Sequence, residues 1–271
     1  MNKGFEKIRY PLILLFIAAG LYVIFMPLSA GAQTAGYQDP VFPGTIANEA
    51  RMADVISDAL DYQNPSIKNH AQLITISKNY SIKAACDLWD YVNSDWTYLN
   101  DPQGPEYVSS ATQSVKSGMR GESDDYSVYL SSLILSLGGE IRIVSVQGDR
   151  DSSVHLYPEL FAGNDETELK EACKYVYSRY GCEKVYYSVE NTEGRKKYWM
   201  NLDWSIPKKG DFNYYIYGNS EYLINRYHPG EQYFGGEQTT VYFPDGTWKT
   251  ESRITGYFSR TMYGVDKFNV L

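Results

Sequence analysis

The stretch Gly121-Glu122-Ser123-Asp124-Asp125 is where this 271-residue chain has the residue types and spacing best suited to covalent chemistry. Behind it, Leu130, Leu133, Ile134 and Leu137 recur at three- and four-residue steps, which predicts an amphipathic helix within 121–139, buried along one face. A hydroxyl at a helix mouth lies among unpaired backbone N–H groups, at the positive end of the helix dipole. Ser123 can therefore act as an N-cap, or as a nucleophile beside donors for an oxyanion. His155 falls on a predicted strand over 153–161 and Asp203 on one over 196–204. Each has an ordinary reading: a strand histidine bonded to a carbonyl, a turn carboxylate, and cap groups in Asp124 and Asp125.

These residues need a scaffold, and the apolar spacing supplies one. Helices are predicted over 47–62, 67–76, 80–98 and 110–116, with Asn64-Pro65-Ser66 separating the first two. Gly138-Gly139 ends the Ser123 helix, and 140–147 alternates like a half-buried strand. The turn at 148–152 carries Asp149 and Asp151 without the remaining ligand pattern of a calcium loop. Between His155 and Asp203 lie a charged helical insert at 166–180, placed to shape access to a cleft, and strands at 184–190 and 196–204. In 239–250, Asp245-Gly246 between alternating arms marks a hairpin that extends the sheet or forms a small meander on it. His70 and His228 sit in patterns that suggest packed or surface residues, and no acidic or thiol neighbour of His228 marks a site.

Three blocks, Gly121 to Asp125, Val154-His155-Leu156-Tyr157-Pro158-Glu159 and Trp199-Met200-Asn201-Leu202-Asp203-Trp204, together resemble the transglutaminase-like superfamily. Its signature is Gly-x-Cys-x-Asp at a helix start, then a strand carrying His and another carrying Asp. The upstream helix with its aromatic end and the Asp101-Pro102 turn also match, so the resemblance covers about 65–215. It implies a papain-like α+β core with N-terminal helices packed on an antiparallel sheet, and a Cys-His-Asp site at the positions of Ser123, His155 and Asp203 for crosslinking, peptide cleavage or deamidation, in which the imidazole takes the nucleophile's proton and the carboxylate orients the ring. It implies no cofactor and no metal. This chain departs from the signature at the nucleophile, where Ser123 stands in place of Cys. A thiol, with a pKa near ~8.5, is partly ionised at neutral pH, whereas an alcohol needs its base engaged in the transition state.

The net charge of −8 disfavours a nucleic-acid partner. From Pro11 to Ala32 no residue is charged, and Lys3, Lys7 and Arg9 precede the run. That pattern is expected of a transmembrane signal anchor or a signal peptide, with the remainder outside the cytoplasm, membrane-anchored or, after cleavage at Ala30-Gly31-Ala32, secreted. Cys86, Cys173 and Cys182 lack metal-ligand spacing; Cys173 and Cys182 can close a short disulfide loop, leaving Cys86 as a small buried residue.

The expected organisation is therefore an N-terminal segment (1–32), a linker (33–45), a transglutaminase-like domain (46–215) and a β-rich extension (216–271). Two functions follow. One is a membrane-tethered pseudoenzyme whose cleft binds peptide, protein or cell-envelope polymer. The other is an acyl-transfer enzyme of protease, amidase or transglutaminase type using Ser123, His155 and Asp203. A Cys exchanged for Ser in an otherwise active enzyme would look the same in sequence.

Overall fold

The computed structural model describes residues 46–99, 107–147, 154–203, 228–231, 238–252, 254–260 and 266–270. The N-terminal segment, the linker, the Asp101-Pro102 turn and the turn at 148–152 lie outside these residues. Among the described residues no helix is long and apolar enough to cross a membrane.

Among the described residues, six helices and an antiparallel sheet make this an α+β fold. The helices are α1 (Ile46–Ala59), α2 (Pro65–Thr75), α3 (Ile82–Asp95), α4 (Ala111–Ser117), α5 (Ser123–Ser136) and α6 (Glu166–Tyr180). Local chemistry sets their starts. Asn64 accepts from Ser66 N–H at 3.0 Å ahead of Pro65, and Ser81 accepts from Ala84 N–H at 3.1 Å. Ser110 and Gln113 form a reciprocal capping box on α4, and Asp165 accepts from Thr167 and Glu168 N–H at α6.

The short parallel pair β1 (Thr97–Tyr98) and β2 (Arg120–Gly121) ties the end of α3 to the entry of α5. The main sheet comprises β3 (Ile141–Gln147), β4 (Val154–Gly163), β5 (Lys184–Thr192), β6 (Arg195–Asn201), β7 (Gln238–Tyr242), β8 (Trp248–Ser252), β9 (Ile254–Arg260) and β10 (Asp266–Val270), in the order β10-β9-β5-β6-β4-β3-β7-β8. The strands after residue 237 thus flank both sides of the β5-β6-β4-β3 centre.

Alternation gives the sheet two faces. Ile141, Ile143, Leu156, Leu160, Met200 and Leu202 join the helices in the core. Val144, Val146, Tyr157 and Val241 cluster on the other face. Helix α5 lies at the centre of the helical layer and, contrary to the one-sided burial its spacing predicts, is buried continuously from Asp124 to Ile134. Its periodicity marks only the most apolar face, because the remaining sides are closed by α2, α3 and α4, with Ser127, Ser131 and Ser132 buried among them.

Only residue 253 separates β8 from β9, yet the two strands stand near opposite ends of the strand order. The sheet must therefore curl until its two sides approach. Lys249 on β8 reaches Glu190 on β5 at 2.7 Å, although five strand spacings would separate these strands by roughly 24 Å in a flat sheet. Inside the curl sits a charge network centred on Arg142. Its guanidinium meets Glu159 at 2.7 Å, Glu251 at 3.0 Å and Glu190 at 3.4 Å, donates to Ser188 at 3.2 Å and lies 4.5 Å from the Trp199 ring centroid. Trp199 Nε1 donates to Glu190 at 2.9 Å. Burial raises the Glu190 carboxyl, but Lys249 and Arg142 outweigh it and hold the group below the ordinary glutamate value.

Cys86 and Cys173 are buried free thiols and Cys182 is a half-buried one, so the 173–182 loop is not closed by a disulfide. Cys173 lies in mid-helix in the core, whereas Cys182 follows the left-handed Gly181 that ends α6.

Replacing Arg142 with Leu would leave the Glu159 carboxylate buried without its cation, at a cost of ~3–5 kcal/mol. The melting midpoint is expected to fall by about 10 °C, and the double variant Arg142→Leu/Glu159→Leu should regain most of the loss. Because the folded Glu190 carboxyl is depressed, its contribution is complete above the unfolded value of about 4.3. It should be lost as pH falls through the lower folded value, which an acid titration of stability would follow.

Candidate active site

Helix α5 delivers Ser123, β4 delivers His155 and the segment just past β6 delivers Asp203. The cap residue of α5 is Glu122, in extended backbone, and Ser123 is the first helical residue. Ser123 is thus not the N-cap that its sequence position suggests. Asp125 accounts for the difference: it accepts from Glu122 N–H at 3.3 Å and from Ser109 N–H at 2.6 Å, so the carboxylate fixes the loop that enters the helix. The same side chain explains Gly121. A Cβ there would lie 2.0 Å from Asp125 Oδ2 and 2.6 Å from its Cβ, and φ is +154°. Only glycine leaves room for the carboxylate, which is the physical content of the Gly-x-Ser-x-Asp spacing.

His155 Nε2 and Asp203 Oδ2 are 2.9 Å apart, with both side chains buried. An ionised carboxylate only accepts, so Nε2 carries the proton and Nδ1 is the nitrogen able to receive one. The imidazole stacks on Tyr157, two residues along β4, at 6.1 Å. Ser123 Oγ accepts from the Leu156 backbone N–H at 3.4 Å, which places it against β4 next to His155. No hydrogen bond joins Ser123 Oγ to the His155 ring. The structure therefore brings the three residues to one locality, pairing His155 with Asp203 and holding Ser123 on the strand backbone.

Asp203 lies two residues beyond β6 rather than within a strand through residue 204. The ladder ends because neighbours capture its backbone. Asn201 Oδ1 accepts from Asp203 N–H at 2.6 Å, Trp89 Nε1 donates to Asp203 O at 3.0 Å, and Tyr126 OH donates to Leu202 O at 3.2 Å. Tyr126 belongs to α5, so the helix presenting Ser123 also holds the segment presenting Asp203. Burial, reinforced by the Asp203 charge, keeps the Tyr126 phenol well above its ordinary value and hence a proton donor. Among these partners only Asn201 has a local sequence signal, two residues before Asp203; Trp89 and Tyr126 act at separations of 114 and 76 residues.

The α6 insert packs against β4, β5 and α3. Arg179 binds Asp87 at 2.7 Å and also pairs with Asp90. Tyr180 meets the edge of Trp89 at 5.8 Å and stacks on His228 at 6.2 Å. His228 does have an acidic neighbour, Glu231 at 3.3 Å, brought round by the turn through Gly230. His70 stands apart from the site, bridging Tyr91 OH at 3.3 Å and Tyr129 OH at 3.2 Å, and burial lowers its pKa. No group of three or more His, Cys, Asp or Glu side chains among the described residues could hold a metal ion.

Gly121→Ala must displace Asp125 and strain the backbone, which should cost ~1–3 kcal/mol, as overpacking commonly does. Denaturant unfolding monitored by far-ultraviolet circular dichroism would register it; a loss comparable to that of an exposed surface substitution would show that Asp125 does not hold this loop.

No protein-family profile matches this chain, and no curated protein does. A solved structure of a provisionally assigned cysteine protease from Cytophaga hutchinsonii is similar at 11% identity and a TM-score of 0.35, covering 80% of this chain and 63% of that one. A likeness this distant is compatible with many α+β folds and does not set the family of this chain.

Proposed function

We propose that this chain is a transglutaminase-like, papain-like module, non-catalytic as it stands, that binds extended peptide, protein or cell-envelope polymer in the cleft where α5 meets β4. One observation carries the reading. The His155–Asp203 pair is complete and buried, while the Ser123 hydroxyl is held by Leu156 N–H without a bond to the imidazole. An alcohol needs that bond to lose its proton during attack. The 3.4 Å separation is long for N–H to oxygen, whose usual value is about 2.9–3.0 Å; a larger sulfur would fill the position better. The uncharged run at 11–32 behind three basic residues supports placing the module outside the cytoplasm, tethered to a membrane or released from it.

The second reading, an acyl-transfer enzyme using Ser123, His155 and Asp203, is favoured by the care with which Asp203 is held. Trp89, Tyr126 and Asn201 all fasten the segment that carries it. Such fastening suits a carboxylate that must orient a catalytic imidazole.

The test compares the chain as it stands with Ser123→Cys, Ser123→Ala and Ser123→Cys/His155→Ala, measuring amide hydrolysis and amine incorporation on a peptide panel. The expected result is inactivity with Ser and activity with Cys. Alkylation near neutral pH gives an independent readout. Burial pushes the native Cys182 and Cys86 thiols up to about 11 and about 12. Their thiolate populations therefore lie on the order of a hundredfold or more below that of an ordinary thiol. A Cys at position 123 should react well ahead of them, and slow about tenfold or more when His155 is removed. Hydrolysis by the serine form, abolished in Ser123→Ala, would establish the enzyme instead.

A further inference from the structure

Helix α2 presents two opposite faces. Ile67, Ala71 and Thr75 are buried and Ile74 packs on the core, whereas Leu73 is 78% exposed and Ile76 is 93% exposed. Ile76 is also the helix C-cap, in left-handed backbone at φ 51° and ψ 30°. Glycine or asparagine usually takes this position, and a β-branched residue there is an outlier. The side chain contributes little packing to the fold and strains the backbone, so its chemistry calls for a use outside the fold.

The surroundings state which use. From Tyr62 to Cys86 the sequence has three lysines and no acidic residue, in a protein of net charge −8. Lys68 and Lys78 are exposed and make no ion pair among the described residues; Lys83 pairs with Asp87 at 2.6 Å. The acidic groups nearby are engaged elsewhere as well, Asp87 by Arg179 at 2.7 Å and Glu140 by Lys197 at 2.6 Å. Asn69, Gln72 and Asn79 leave the remainder of this corner polar and uncharged.

We propose that the exposed side and C-terminal end of α2, where Leu73 and Ile76 are exposed and Lys68 and Lys78 flank them along the chain, docks on the headgroup layer of an anionic bilayer, the aliphatic tips entering it and the ammonium groups meeting lipid phosphates. Two aliphatic tips and two lysines make a weak contact alone, with each lysine near an anionic surface worth about a fivefold gain in binding. The uncharged run at 11–32 would supply the missing strength by holding the domain at the membrane, where a weak contact suffices. The inference does not depend on whether the cleft is catalytic. It rests on the membrane-anchor reading only for that added strength.

The experiment uses the full chain with Leu73→Cys carrying an environment-sensitive NBD label, and Thr192→Cys at the end of β5 as the distant control. The raised pKa values of the native thiols direct labelling near neutral pH to the new cysteine, and the unsubstituted chain serves as the labelling blank. Each protein is mixed with vesicles of phosphatidylcholine alone, or with phosphatidylglycerol added, both containing brominated acyl chains as quencher. The expected result is a blue shift and quenching at position 73 in phosphatidylglycerol vesicles, neither in phosphatidylcholine, and no change at 192. Lys68→Gln/Lys78→Gln should weaken the contact about 30-fold. Ile76→Asn, which suits the left-handed backbone, should reduce the contact without lowering the melting midpoint, whereas a purely structural role would lower it. A label at 73 that stays in water with both vesicles overturns the proposal, as does equal quenching at 192. Co-sedimentation separates the causes: a chain that pellets with position 73 unquenched is tethered but does not dock, and one that does not pellet lacks both tether and docking face.

Discussion

The buried guanidinium of Arg142 is the interaction on which the sheet depends. An arginine fully removed from water is tolerable only if its charge is met at close range, and here the partners come from different strands. Glu159 is on β4, Glu190 on β5 and Glu251 on β8, with Lys249 balancing the last two. Those strands can surround one residue only if the sheet curls. The single-residue step from β8 to β9 requires the same curl from the chain's connectivity. A covalent constraint and an electrostatic one thus select the same geometry, and hydrophobic burial on the outer face secures it with α1 and α5.

The candidate site grows from that geometry. His155, Tyr157 and Glu159 lie on one side of β4, so a single strand face carries the imidazole at one end and the Arg142 partner at the other. Register on β4 therefore sets both. Beside it, α5 places Ser123 Oγ on the Leu156 backbone N–H and, three residues later, sends the Tyr126 hydroxyl to the carbonyl beside Asp203. The relative positions of helix, strand and loop are fixed by bonds between them.

Helix ends and strand positions could be read from the sequence wherever the determining chemistry is local. The α6 insert runs from its Asp165 cap to Gly181, and the Asp245-Gly246 hairpin has Asp245 accepting from Thr247 N–H at 3.0 Å. Features set by distant partners could not be read this way. The full burial of α5 depends on three other helices, the curl on pairings between strands up to about a hundred residues apart such as β3 with β7, and the hold on Asp203 on Trp89. The alternation of 140–147 does not reveal that the second face of the sheet is enclosed around Arg142, because that enclosure comes from distant strands. Glu122 displaced Ser123 from the cap because Asp125 is drawn toward Ser109 as well as to the helix.

The step from β8 to β9 also bears on how the molecule comes into being. β5, in the middle of the chain, has β9 as one of its two neighbours, and β3 has β7. During synthesis both central strands present open edges until β7 and β9 have been made, and the earlier strands cannot complete the sheet by themselves. Those edges are sticky in the meantime, so the strands after residue 237 act as the closing stitch of the fold.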